Sequence, residues 1–283
     1  MMNTNANTET LCSLNDRFRF NPKAPLNNEK EGTTLYDVYD KLSPNPSVPN
    51  LVAKIVINDK ELVNHEIAMM KLVDSPDIMT LFDTVKIEKL DTIAIIMPKM
   101  KTDLFNYIES NGSLSETQAA TAFYAIVRGL YHMHEKQIAH CDVKLENIFV
   151  KREIDGIPEL VLGDLGLSCA LERDEKITER RGTFYYYAPE MMNREPYSYP
   201  VDVWAFAVAL YYTVTGCWLF DLDKENNYAS QVVSGVSNND DRFDCISPSL
   251  KSLLIRCLAV DPSQRPTFAE ILNDKWFFIR IIQ

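Results

Sequence analysis

A carboxylate, an ammonium group and a carboxamide stand close together in the stretch "IAHCDVKLENIFV", as Asp142, Lys144 and Asn147. Downstream, "GDLG" offers another carboxylate, Asp164. Upstream, "LVAK" offers Lys54, and "ELVNHEIAMMKLV" offers Glu66. Such carboxylates, ammonium groups and amide oxygens can carry acid–base chemistry, neutralise anionic charge or ligate a hard cation. Singly, each reads as a solvated surface charge, so their order and the elements that carry them must decide. Sulfur chemistry is not indicated. The six cysteines (Cys12, Cys141, Cys169, Cys217, Cys245 and Cys257) form no CxxC pair and no zinc-ligand spacing with the four histidines. They read as reduced, mostly buried thiols of a reducing, intracellular setting.

Those residues need a scaffold. With 283 residues, 46% of them hydrophobic, the chain can bury a sizeable core as one large domain or two modest ones. Its net charge of -11 argues against a nucleic-acid or anionic-membrane surface and suits basic protein substrates. Residues 1–28, rich in Asn, Thr, Pro and charge, read as a loosely ordered tail, and "MMNTNANTETLCSLND" lacks the apolar core of a secretory signal. "TLYDVYDKL", "NLVAKIVIND", "LFDTVKIE" and "TIAIIMP" read as strands, with one helix over about Lys60 to Val73. From Ser115 the period becomes helical: Ala119, Phe123, Ile126, Leu130 and Met133 form one apolar face, and Ser115 with Gln118 forms a capping box. Ser247 with Pro248, and Thr267 with Glu270, start two later helices. The uncharged run Val203 to Phe220 reads as a buried central helix rather than a membrane span. The fold class is α+β, a small sheet lobe followed by a larger helical lobe.

Seven segments in fixed order, "LVAK", "HEIAMMKLVDSPDIM", "HCDVKLEN", "GDLG", "YAPE", "DVWAFAVALYYTVTG" and "CLAVDPSQRPTFAEILNDKWF", resemble the eukaryotic-type Ser/Thr protein kinases across residues 30–280. The resemblance implies a bilobal protein kinase-like fold, with the kinase domain over 29–280, an N-lobe at about 29–98 and a C-lobe at about 101–280. It implies ATP and Mg2+ as cofactors, with Lys54, paired to Glu66, on the α- and β-phosphates. Asp142 becomes the catalytic base, Lys144 reaches the transferring phosphoryl group, and Asn147 and Asp164 ligate magnesium. Thr183 links substrate loop to catalytic loop. Gly32, Val38 and Ala53 border the nucleotide, Met97 is the gatekeeper, and Pro98 to Met100 form the hinge. Glu190 and Arg265 match a buried ion pair, and Asp202 matches the residue that holds the catalytic-loop backbone. His140 matches a packing residue, and Tyr185, Tyr186 and Tyr187 read as aromatic packing beneath the substrate loop.

The sequence departs from the family in places. Cys141 replaces the arginine that binds a phosphate on the activation loop, and a thiol has no comparable charge or fork of donors. That arginine regulates and does not touch the transferring phosphate, so activity without activation-loop phosphorylation is expected, with Thr178 dispensable. The phosphate-covering loop should be glycine-rich, yet the best candidate, "KEGTTLYDVYD", holds Gly32 alone, with Leu35 or Tyr36 where a glycine is expected. Leu165 replaces a phenylalanine and Ala207 a glycine, both without expected consequence.

"DVKLEN" resembles the Ser/Thr-specific form of the loop. Asp103 and Glu146 match positions that hold an upstream arginine in basic-directed kinases, while a third such position is Tyr212. The expected partners are protein substrates, with no nucleic acid and no membrane, and the chain is taken as a monomer of cytoplasm or nucleus. The trimmed loops resemble small kinases of large DNA viruses, in which case the setting is the host cell, or of divergent eukaryotes. The alternatives are a pseudokinase acting as a binding module, favoured by the glycine-poor loop, and a small-molecule phosphotransferase, opposed by "APE" and "DVW".

Overall fold

The computed structural model describes residues 12–26, 32–45, 50–57, 59–221, 225–237 and 239–281. The chain divides into two compact units. One holds Met1–Lys71 and Thr80–Lys99, the other Leu72–Met79 and Met100–Gln283.

The first unit is a six-stranded antiparallel sheet in the order β1-β2-β3-β4-β6-β5. Its strands are β1 (Cys12–Ser13), β2 (Phe18–Pro25), β3 (Thr33–Asp40), β4 (Leu51–Val56), β5 (Asp83–Ile87) and β6 (Thr92–Pro98), with helix α1 (Lys60–Leu72) between β4 and β5. Period-two alternation sorts the side chains onto two faces. Phe18, Val38, Leu51, Ala53, Ile55, Val85, Ala94 and Ile96 form one buried cluster.

Strands β1 and β2 correct the expected tail. Phe18 is fully buried, Phe20 pairs with Val38, and Arg17 binds Asp40 through two bonds of 2.9 and 2.7 Å. Pro22 and Pro25 disguise the strand, since proline interrupts a ladder. The pairing lapses after Phe20, which accommodates the Pro22 ring, and resumes where Pro25 pairs with Tyr36. The rest of the expected tail, residues 1–11 and 27–28, lies outside the described residues.

The second unit begins with β7 (Thr102–Asp103), α2 (Leu104–Asn111) and α3 (Glu116–Glu135). Next come β8 (Ile138–Ala139), β9 (Ile148–Ile154), β10 (Ile157–Leu162), β11 (Cys169–Ala170) and α4 (Pro189–Met192). Helices α5 (Pro200–Thr215), α6 (Glu225–Ser234), α7 (Pro248–Cys257) and α8 (Phe268–Leu272) complete it. Helix α3 starts at the Ser115–Gln118 capping box and buries all five residues of its apolar face. Phe123 meets Phe206 of α5 edge-on at 5.8 Å, and Phe206 meets Phe268 of α8 at 5.6 Å. Ser247 and Pro248 open α7, and the Thr267–Glu270 box opens α8. Helix α5 is buried from Val201 to Thr213, and among the described residues no helix is long and apolar enough to cross a membrane. Arg265 binds Glu190 with two 2.7 Å bonds, both side chains buried.

Of the six thiols, expected to be mostly buried, only Cys141 and Cys257 are; Cys12, Cys217 and Cys245 are exposed and Cys169 is half-buried.

Candidate active site

In the sheet unit the candidates sit on two faces. Lys54 of β4 pairs with Leu35 on one side and Ile95 on the other, and Val52 pairs with Asp37 and Met97. Directly paired residues share a face, and so do residues two apart on one strand. Leu35, Val52 and Met97 therefore stand on the face of Lys54. Val38 and Ala53, expected beside the nucleotide, do not. They lie one residue out of phase with Lys54, fully buried in the cluster on the opposite face. The residue two before Lys54 is Val52, a position that alternation alone could have supplied. Lys54 Nζ is 2.8 Å from Glu66 Oε1, and Glu66 is buried on α1. The carboxylate fixes the direction of the ammonium group.

The turn expected to cover phosphates also moves. Thr33–Asp40, which includes Leu35 and Tyr36, is strand and not loop. Alternating Thr, Leu, Tyr and Val residues pair with β2 and β4 at once. The connection between β2 and β3 is residues 26–32, of which 27–31 lie outside the described residues. Gly32 ends it with φ +76°, accepting a 2.9 Å bond from the Ile57 N–H. A Cβ there would lie 3.1 Å from the Ile57 carbonyl oxygen, so backbone geometry alone accounts for the glycine.

At the end of β6, Lys99 N–H bonds to Asn50 O, and Lys101 N–H bonds to Val150 O. Met100 lies between these two anchors, and the unit boundary falls beside it.

In the helical unit the loop after β8 gathers Asp142, Lys144, Asn147 and Thr183. Asp142 Oδ1 accepts the Thr183 hydroxyl at 2.8 Å, and Asp142 Oδ2 accepts Asn147 Nδ2 at 2.9 Å. Lys144 Nζ lies 2.8 Å from Asp142 Oδ2 and donates to Thr183 Oγ1 at 2.7 Å. Asn147 also donates to the Asp142 carbonyl at 2.9 Å. Its amide nitrogen is thus committed to Asp142, and its amide oxygen is the atom that can serve a cation. Asp164 is exposed between buried Gly163 and Leu165, on left-handed backbone at φ 60°. A short acid tolerates that conformation better than a branched residue. Among the described residues no group of three or more His, Cys, Asp or Glu could hold a metal. One carboxylate and one amide oxygen suit magnesium, which usually keeps water and phosphate oxygens as its other ligands.

Asp202, fully buried at the start of α5, fixes the backbone of this loop. Its carboxylate accepts the N–H of His140 at 2.8 Å and of Cys141 at 2.9 Å, and contacts His134 Nε2 at 2.9 Å. Burial would raise the Asp202 carboxyl, but the bond from His134, the nearby imidazoles and the His140 N–H outweigh it and hold it below the usual carboxylate value. His140 is itself buried, its Nε2 3.1 Å from Gly163 O, as a packing residue would be. Cys141 has φ 66° and is buried, which pushes its thiol far up. Such a thiol is a poor nucleophile.

Sequence reasoning overlooked the tyrosine hydroxyls that tie the segment 177–187 to its surroundings. Tyr186 OH accepts the Leu145 N–H at 3.2 Å and donates to Glu146 at 3.3 Å. Tyr197 OH donates to Glu179 O at 2.7 Å and accepts the Arg181 N–H at 3.2 Å. A hydroxyl-to-backbone bond between distant residues leaves no spacing signal in a sequence. The aromatic run itself packs: Phe184 meets both Tyr185 and Tyr228 at 5.4 Å.

Comparison with known proteins agrees with this arrangement. The sequence model of the protein kinase domain matches residues 49–277. Strands β2 and β3 and the turn at Gly32 precede that span. The chain is 30% identical over 246 residues to the probable serine/threonine-protein kinase MARK-A of Dictyostelium discoideum, covering 83% of this chain and 22% of that protein. It is 30% identical over 246 residues to the carbon catabolite-derepressing protein kinase of Candida tropicalis, covering 84% and 38%. It is 31% identical over 221 residues to the serine/threonine-protein kinase SIK1 of Rattus norvegicus, covering 76% and 27%. The chain thus spans well under half the length of these relatives. With its sheet unit, its helical unit and the matched span in agreement, the chain belongs to the eukaryotic-type protein kinase family.

Proposed function

We propose that this chain transfers the γ-phosphate of Mg-ATP to serine and threonine hydroxyls of proteins, and does so without phosphorylation of its own activation segment. The observation that carries the reading is the closed set of bonds among Asp142, Lys144, Asn147 and Thr183. Bound Mg-ATP supplies the transferable phosphoryl group and part of the charge neutralisation. Asp142 accepts the hydrogen bond of the incoming hydroxyl and aims it, with the carboxylate itself held by Thr183 and Asn147. Lys144, beside that carboxylate, meets the negative charge that builds up on transfer. Asn147 Oδ1 and Asp164 hold the magnesium ion. Lys54, steered by Glu66, binds the α- and β-phosphates, and Leu35, Val52 and Met97 offer the apolar sheet face beside it.

For substrate choice, Glu146 is the acidic residue able to receive an upstream basic side chain. Asp103 is already spent as the N-cap of α2, accepting the Asn106 N–H at 2.8 Å and its side-chain amide at 2.6 Å. Tyr212 donates to Glu109 at 2.8 Å. The preference for basic sites thus rests on Glu146, and charge reversal to Glu146→Lys is the test: selectivity for basic over acidic peptides should fall.

One observation favours a second reading, a binding module that transfers nothing: the β2–β3 connection has Gly32 as its sole glycine. Thermal unfolding with and without Mg-ATP separates the two. An enzyme is stabilised by Mg-ATP and turns it over, whereas a module that binds no nucleotide shows neither effect.

A further inference from the structure

The segment between Leu171 and Thr183 is held by bonds to the residues around it. Its extended part meets Tyr197 three times at alternate residues. Ile177 and Tyr197 exchange backbone bonds in both directions, at 2.8 and 3.0 Å. The Tyr197 hydroxyl then donates to the Glu179 carbonyl and accepts the Arg181 N–H. Ile177 and Tyr197 are both buried, whereas Thr178 between the anchored residues is exposed.

Immediately after Arg181 the segment meets the catalytic loop. Gly182, at φ +91°, lies against the Cys141 carbonyl so closely that a Cβ would overlap that oxygen. Thr183 then reaches Asp142. The geometry points to Tyr197 as a positioning residue for phosphoryl transfer: its hydroxyl clips the segment on both sides of Arg180 and so delivers Gly182 to Cys141 and Thr183 to Asp142. This rests on the proposed kinase activity and names how the site is kept in working order.

The Cys141 thiol, the Tyr197 hydroxyl and the Arg181 guanidinium are electrostatic neighbours: burial first, then Cys141, raises the Tyr197 hydroxyl, and Arg181 opposes them. A phenol is protonated at neutral pH and able to donate.

Tyr197→Phe tests this, because it removes one oxygen and keeps the ring. Two measurements are made on the full chain: amide hydrogen exchange over residues 177–183, and phosphate transfer at temperatures well below unfolding. The expected result is at least tenfold faster exchange at 179–183, kcat for protein substrate lowered about tenfold, and KM for ATP within twofold of wild type. Thr178→Ala should change none of these. Unchanged exchange in Tyr197→Phe overturns the clip whether or not the protein is active. Faster exchange with unchanged kcat overturns its positioning role. A wild-type protein that transfers no phosphate overturns the proposed activity instead, and the exchange data still decide the clip.

Discussion

Gly182 lies against the carbonyl of Cys141 with no room for a side chain, at a backbone angle of φ +91°. The unusual residue of the catalytic loop is therefore used through its backbone: its N–H is held by Asp202 and its carbonyl supports Gly182. Gly182→Ala would introduce both overlap and a disfavoured conformation, a strain of about 1–3 kcal/mol. The expected outcome is at least a hundredfold loss of transfer with a folded protein, because Thr183 leaves Asp142. Enzyme assay with circular dichroism checks it; near-normal activity would show that the contact does not position Thr183.

Cys141→Arg restores the family residue, and it should not restore anything else. The cavity bordered by Cys141, Thr183, Tyr187 and Val201 offers about 10 Å³, room for one water at most. Overpacking such a site costs about 1–3 kcal/mol, and the new charge would face Arg181. Lower thermal stability and lower kcat are expected, and neither should be rescued by a phosphate mimic at Thr178. A gain in activity with Thr178→Glu would count against the account.

Lys54 and Glu66 form a pair in which the carboxylate is the more deeply buried. Lys54→Met removes the cationic partner of that buried carboxylate, a loss of about 3–5 kcal/mol. Adding Glu66→Leu should return most of this stability while activity stays lost. Chemical denaturation of the two single variants and the double variant measures the coupling. Additive losses would mean that the two side chains do not interact in solution.

Acid sensitivity arises from Asp40 and Asp202. The bonds from Arg17 hold the Asp40 carboxyl below its usual value, and Asp202 is held below it against the effect of burial. A carboxylate with a depressed folded pKa stabilises the fold above its unfolded value, about 3.9, and loses that contribution as pH falls through the folded value. Melting temperature should thus be level from pH 8 to about pH 5 and drop below about pH 4. The drop should be shallower in Asp202→Asn, whose starting stability is already lower. An unchanged acid slope in that variant would assign the effect to other groups.

The sequence disclosed local rules well and register poorly. The capping boxes at Ser115 and Thr267 are short-range side-chain bonds, so their spacing is visible, and both form. The polar residues of the catalytic loop are close in sequence, and Asp142 contacts both Lys144 and Asn147. Strand β2 escaped because Pro22 sits where the ladder lapses and Pro25 where it resumes. Val38 and Ala53 were placed by motif likeness, whereas the pleat puts Leu35 and Val52 beside Lys54: one residue of register exchanges the two faces of a strand. The hairpin of β9 and β10 was missed although Asp155-Gly156 is a strong two-residue turn signal. Tyr197 was invisible for a different reason, since its bonds reach backbone atoms far along the chain.

The central claim is that Asp142 aims a protein hydroxyl at the γ-phosphate of Mg-ATP. The measurement is transfer of labelled γ-phosphate to a basic protein such as myelin basic protein and to casein, by phosphatase-treated wild type and by Asp142→Asn. The account predicts transfer by the treated wild type and a loss of about 10²–10⁴-fold in the variant, at similar melting temperatures. No transfer by wild type to any substrate, with no thermal shift in Mg-ATP, would contradict it and make the chain a binding module.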